Sequence, residues 1–133
     1  MSRILLDTSA YSAFMRGDDG ARVALQEADE IVLTPVVLGE LRAGFMRGTR
    51  RGRNEALLAR FQSAPRVRSI PLDDDTSERY AAILDGLRRA GTPVSANGVW
   101  IAASAMQHGL SIVTTDPDFD RVPQILVQRL PVR

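Results

Sequence analysis

The 133-residue sequence predicts an α/β fold, a mostly parallel four- or five-stranded sheet flanked by helices. Three observations carry that expectation: short apolar runs of strand length, segments of helical period between them, and the alternation of the two along the chain. Strands that alternate with helices pair in parallel through right-handed crossovers. Hydrophobic residues make up 44% and charged residues 25%, the profile of a globular protein, so residues 1–133 are expected to form a single domain.

The first run, RILLD (Arg3 to Asp7), is apolar and ends in a polar triplet, as a buried parallel strand does. TSAYSAFMRG then starts a helix capped by Thr8 or Ser9 and stopped near Gly17. DGARVALQEA is a second short helix. EIVLTP is a second strand whose end supplies Thr34 as an N-cap and Pro35 as the first helical residue. In the following helix, PVVLGELRAGFMRG, the side chains Val37, Leu41 and Phe45 fall on one stripe.

RNEALLARFQSA is a further helix and RVRSIPL a third strand. DDDTSERYAAILDGLRRAG is a long amphipathic helix, with an exposed acidic cluster (Asp73 to Asp75) at its start and Arg88 and Arg89 at its end, as the helix dipole favours. After Asn97-Gly98, VWIAASAMQ is Ala-rich, apolar nearly all round and without strand alternation. It therefore reads as a buried helix with Asn97 as N-cap and Gly98 in the first helical position, not as the hairpin turn that Asn-Gly often marks. SIVTTD is a fourth strand and QILVQR a candidate fifth.

Composition narrows the function classes. No apolar run approaches the roughly 18 residues needed to span a bilayer, and the N-terminus lacks the apolar stretch of a signal peptide, so a cytoplasmic location is expected. The chain has no cysteine, which excludes disulfides and thiolate metal sites. His108 is the sole histidine, so no histidine cluster can bind metal. It precedes Gly109 at a helix C-terminus, where it serves the dipole. Trp100 lies in the apolar helix and is assigned to core or interface. Aromatic residues are only 5% of the chain, which argues against base stacking as the main binding mode.

Net charge is +1, yet all 17 basic residues are arginine. A GC-rich coding sequence is the first explanation of that bias as a whole, and phosphate recognition by forked guanidinium donors is the other. The cluster RAGFMRGTRRGR, with Arg42, Arg47, Arg50, Arg51 and Arg53, is a separate matter. It is open between a solvated helix–helix connection and a surface for a phosphate backbone.

In open α/β sheets function gathers at the carboxyl ends of strands. Two strands here end in an acid, Asp7 and Asp116, and Glu40 sits early in the helix after strand two. A lone strand-end Asp is often only an N-cap, but the three together point further. Converging carboxylates repel unless a cation lies among them, and a site of oxygen donors suits a hard ion such as Mg²⁺ or Mn²⁺. Phosphodiester hydrolysis is the natural chemistry of such a site. Two other acid-based α/β enzymes are excluded. A haloacid-dehalogenase-like phosphatase needs a second Asp where Ser9 stands, and a response-regulator receiver needs a lysine.

ILLDTSAY, TPVVLGELRAG, NGVWIAASA and IVTTDPDFD, in this order and spacing, resemble a PIN-domain protein, specifically a VapC-type toxin of a type II toxin–antitoxin system. The resemblance implies an endoribonuclease dependent on Mg²⁺ or Mn²⁺ that acts on structured RNA such as tRNA or rRNA. It also implies a small VapB-like antitoxin as partner and a homodimer, for which the early apolar helices are the candidate interface. By the same resemblance Asp7, Glu40 and Asp116 are the metal-binding and catalytic acids, Asp118 is an accessory in the same turn, and the hydroxyls of Ser9 and Thr115 hold metal-bound waters. Asp120 belongs to turn chemistry around Pro117.

The departure is Gly98. Where the family usually has an acid after Asn, this chain reads NGVW. The missing carboxylate predicts weaker metal binding and an impaired toxin, through an introduced change or natural divergence, while a glycine in a first helical turn spares the fold. A purely structural helix-start glycine is the other explanation. The competing function is a non-catalytic RNA- or protein-binding PIN-like domain.

Overall fold

The computed structural model describes residues 2–132. Five parallel strands form one sheet in the order β3-β2-β1-β4-β5: β1 (Arg3–Leu6), β2 (Glu30–Leu33), β3 (Val67–Ser69), β4 (Ser111–Thr114) and β5 (Leu126–Arg129). β1 is central, with Leu5 in register with Val32 on one side and Ile112 on the other. Ile4, Leu5 and Leu6 are fully buried, which is why an unbroken apolar run and not an alternating one marks this strand. From β1 the chain builds outward through β2 and β3, then returns to add β4 on the opposite side. That reversal makes the carboxyl ends of β1 and β4 the topological switch point.

Helices α1 (Thr8–Met15), α2 (Asp19–Glu27), α3 (Pro35–Arg47) and α4 (Arg51–Gln62) connect the first three strands, and α5 (Asp74–Ala90) and α6 (Ala96–His108) connect β3 to β4. Right-handed crossovers place the first four on one face of the sheet and the last two on the other. Thr34 caps α3 by accepting from the Val37 N–H, with Pro35 at the first helical position, as its sequence predicts. Val37 and Leu41 are buried and Phe45 half-buried, completing the expected stripe. Asp73 caps α5 in a reciprocal box with Thr76, and Asp74 and Asp75 are exposed in the first turn. Trp100 is half-buried and stacks on Tyr80 at 4.1 Å between ring centroids. His108 is the last residue of α6, whose end is closed by Gly109 at φ 65°.

Three local expectations are corrected. α1 is capped by Asp7, whose side chain accepts from the Ala10 N–H, and not by Thr8 or Ser9. α6 is capped by Ser95, two residues before Asn97, so Gly98 is the third helical residue instead of the first. β4 ends at Thr114, and Asp116 follows two residues later as the cap of a short 3₁₀ helix (Pro117–Arg121). The candidate fifth strand is present and pairs in parallel with β4.

Candidate active site

Asp7 leaves β1 at the switch point and is only 4% exposed. Its Oδ1 accepts hydrogen bonds from the Ser9 hydroxyl at 2.7 Å and the Ala10 N–H at 2.8 Å, and its Oδ2 accepts one from the Thr114 hydroxyl at 2.6 Å. Burial pushes the Asp7 carboxyl above the usual carboxylate range. The hydrogen bonds from Thr114, Ala10 and Ser9 pull the other way, and the nearby Asp116 charge adds a further push upward. The side chain is thus both a helix cap and the deepest acid of the site.

Thr114 is fully buried at the end of β4 and serves two groups. Its hydroxyl donates to Asp7 and accepts the Asp116 N–H at 2.9 Å, tying the two strand-end acids together. Ser9 acts as a second tie, its oxygen accepting the Thr115 N–H at 3.0 Å. Asp116 Oδ1 accepts the Asp118 N–H at 2.8 Å, fixing the carboxylate at the start of the 3₁₀ helix. Glu40 projects from α3 and is held at both oxygens, by the Thr8 hydroxyl at 2.6 Å and the Asn97 side-chain amide at 3.2 Å.

Asp7, Glu40 and Asp116 line one cavity of about 240 Å³, together with Thr8, Ser9, Ser95, Gly98, Ile101 and Phe119. The structure thus brings the three expected acids and the Gly98 position to the same place. Asp118 is not brought there: its carboxylate faces Arg121 at 3.5 Å. Asp120 pairs with Arg129 at 2.7 Å. Thr115 lines a neighbouring cavity with Arg16 instead. Thr114, Thr8, Asn97 and Ser95 are the site residues that sequence reasoning missed. Thr8 and Thr114 stand one and two positions from a motif acid, and Asn97 and Ser95 stand one and three before Gly98, which is the signal that could have found them.

Gly98 carries structural information of its own. A Cβ there would stand 2.8 Å from Val94 Cγ1, 3.2 Å from Ser95 Oγ and 4.0 Å from Phe119 Cε1. Any side chain at this position would enter the cavity past Ser95 and Phe119, and Val94 fills the space its first atom needs. The donors that remain are all oxygen. Asp116 Oδ2 has no protein hydrogen bond among the described residues, and Asp7 Oδ2 has one. No three His, Cys, Asp or Glu side chains among the described residues converge closely enough to cage a metal. The set fits a hard divalent ion held by two carboxylates and completed by other oxygen ligands.

The sheet order, the switch-point crevice and its acids define a class of protein that comparison with known proteins then specifies. The PIN domain profile matches residues 4–125. Ribonuclease VapC4 of Mycobacterium tuberculosis (strain ATCC 25618 / H37Rv) is 36% identical over 92 residues, 69% of this chain and 71% of that protein. Among solved structures, DNA-bound VapBC from Salmonella typhimurium matches at a TM-score of 0.85 and 26% identity, covering 97% of this chain and 98% of that one. VapBC-5 of Mycobacterium tuberculosis, a member of the VapBC family of toxin–antitoxin systems, matches at a TM-score of 0.75 and 28% identity, covering 98% and 100%. The chain belongs to the PIN-domain family, in its VapC-type branch of ribonuclease toxins.

Proposed function

We propose that residues 1–133 form one PIN-like domain that hydrolyses phosphodiester bonds of structured RNA such as tRNA or rRNA with Mg²⁺ or Mn²⁺, and that Gly98 lowers its turnover. Ribonuclease character and a VapB-like antitoxin partner come with family membership. The observation that carries the mechanism is the meeting of Asp7, Glu40 and Asp116, from three separate elements, on one cavity at the switch point. No helix among the described residues is long and apolar enough to cross a membrane, in keeping with action in the cytoplasm. Met15 and Val23 stay exposed on α1 and α2, in keeping with a homodimer contact there.

In this mechanism Asp7 and Asp116 would hold the ion. Thr114 fixes their relative position through its two hydrogen bonds. When bound, a divalent ion would supply Lewis-acid polarisation of a phosphoryl oxygen and acidify a water. Glu40, clamped by Thr8 and Asn97, orients water at the rim of the cavity. Ile101 and Phe119 form the apolar wall that limits solvent access. At position 98 the chain offers only hydrogen, so one anchor for the ion or the attacking water is absent.

A second reading, a PIN-like domain that binds RNA or protein without metal, draws on the packing of Val94 over the Gly98 position. Calorimetric titration with Mn²⁺ separates the two. Weak binding that Asp116→Asn removes is expected. Absence of binding both with and without RNA would favour the metal-free domain.

A further inference from the structure

The arginines of this chain fall into two populations. Arg3, Arg22, Arg42, Arg68, Arg89, Arg121 and Arg129 are ion-paired, and Arg66 and Arg79 donate to backbone carbonyls. The side chains of Arg16, Arg47, Arg50, Arg51, Arg53, Arg60 and, on α5, Arg88 make no hydrogen bond or ion pair among the described residues, and all seven residues are exposed. Five of them lie on the hairpin of α3 and α4, and Arg16 follows the end of α1. The segment 42–60 holds six arginines against the single carboxylate Glu55, which is taken by Arg42 at 3.3 Å. The remaining eleven arginines face fifteen carboxylates. A net charge near zero therefore conceals a strongly polarised molecule.

Local folding does not account for this placement. Arg50, Arg51 and Arg53 crowd the start of α4, where there is no side-chain cap hydrogen bond and no acid in the first turn. A helix start is its positive end, so each cation there is disfavoured. The chain tolerates mutual repulsion and an adverse dipole at the same spot, which a polyanion laid across it would relieve.

The patch is also continuous with the catalytic crevice. α1 begins at Asp7 in the site, and its eight residues carry the chain about 12 Å to Arg16. Arg16 lines one cavity with Thr115, beside Asp116, and a second cavity of about 260 Å³ with Arg53 and Asn54. Unpaired guanidinium groups thus run from the edge of the crevice to the tip of the hairpin, and guanidinium forks suit phosphate oxygens. We propose that the track Arg16–Arg53–Arg51–Arg50–Arg47 holds the phosphate backbone of the RNA flanking the scissile bond. The proposal rests on the ribonuclease reading and adds where the substrate lies.

Fluorescence anisotropy with labelled unfractionated tRNA in EDTA, over a range of salt, tests it without cleavage. The triple variant Arg50→Gln, Arg51→Gln, Arg53→Gln is expected to bind roughly 10- to 100-fold more weakly, with a log–log salt slope shallower by about 2–3. Arg88→Gln, which removes an equally unpaired arginine from α5, is expected to leave both unchanged. Because the three side chains are exposed and poorly placed for the dipole, the triple variant should melt no lower than the parent, which separates lost contact from lost fold. If the parent binds tRNA and the triple variant binds it equally well, the track is refuted while the ribonuclease reading stands, and the hairpin falls to a protein partner. If the parent itself fails to bind tRNA at low salt, both fall together.

Discussion

Placing a methyl group at position 98 probes the packing that has replaced the family acid. In Gly98→Ala the new Cβ would stand 2.8 Å from Val94 Cγ1, well inside the 3.5–4.0 Å of ordinary carbon contact. The obstacle is a branched side chain with a stiff χ1, so it does not swing aside cheaply. Overpacking of this kind costs about 1–3 kcal/mol. The helix gains at most about 1 kcal/mol from Gly to Ala, and less in a first turn. The net expectation is a loss of about 1–2 kcal/mol, or roughly 3–8 °C in melting temperature for a domain of this size. Val94→Ala should relieve the clash, so a double-mutant cycle read by thermal or urea unfolding should return a favourable coupling of about 1 kcal/mol. A Gly98→Ala variant that melts higher than the parent, or two effects that simply add, would refute the packing argument.

Thr114→Val keeps shape but strips the donor from buried Asp7 and the acceptor from the Asp116 N–H, and should cost about 2–3 kcal/mol in urea unfolding. Asp7→Asn tests the burial effect through pH. Because the folded Asp7 pKa is raised, the ionised acid costs the parent stability that is intact below the ordinary Asp range and lost as pH rises to the raised value. The difference in melting temperature should therefore shift toward Asp7→Asn as pH rises through that window. A flat difference from about pH 3 to neutrality would contradict it. Ser95→Ala removes the α6 cap and should lower stability by about 1 kcal/mol, read by the same melts.

The sheet and its acids were legible because buried parallel strands are unbroken apolar runs, and a polar residue at the end of such a run stands out. Asp7 and Asp116 announced themselves this way. Glu40 followed from its distance to the Thr34-Pro35 helix start. Phase was less legible. Two adjacent threonines close the SIVTTD run, and an all-buried strand has no alternation to say which of them faces the site. The structure gives that role to Thr114, and Thr115 looks elsewhere. The α6 start was ambiguous because Ser95 and Asn97 are both good caps. Only the hydrogen bond from the Gly98 N–H to Ser95 Oγ, 3.1 Å, decides between them. That shift of two residues sets which way position 98 faces, and with it the contact with Val94. Asp118 depended on the winding of a 3₁₀ helix, for which apolar periodicity offers no guide; there it meets Arg121.

The central claim is that this cavity is a nuclease site lacking one carboxylate, and cleavage of total tRNA and rRNA with Mg²⁺ or Mn²⁺ tests it most directly. The comparison is between this chain, Gly98→Asp, and Gly98→Asp combined with Val94→Ala. Cleavage that rises from the first to the second, rises again in the third, and vanishes on adding Asp7→Asn is the expected result. No cleavage by any of them across metal and salt conditions would contradict the claim and leave a PIN-like domain that binds without cutting.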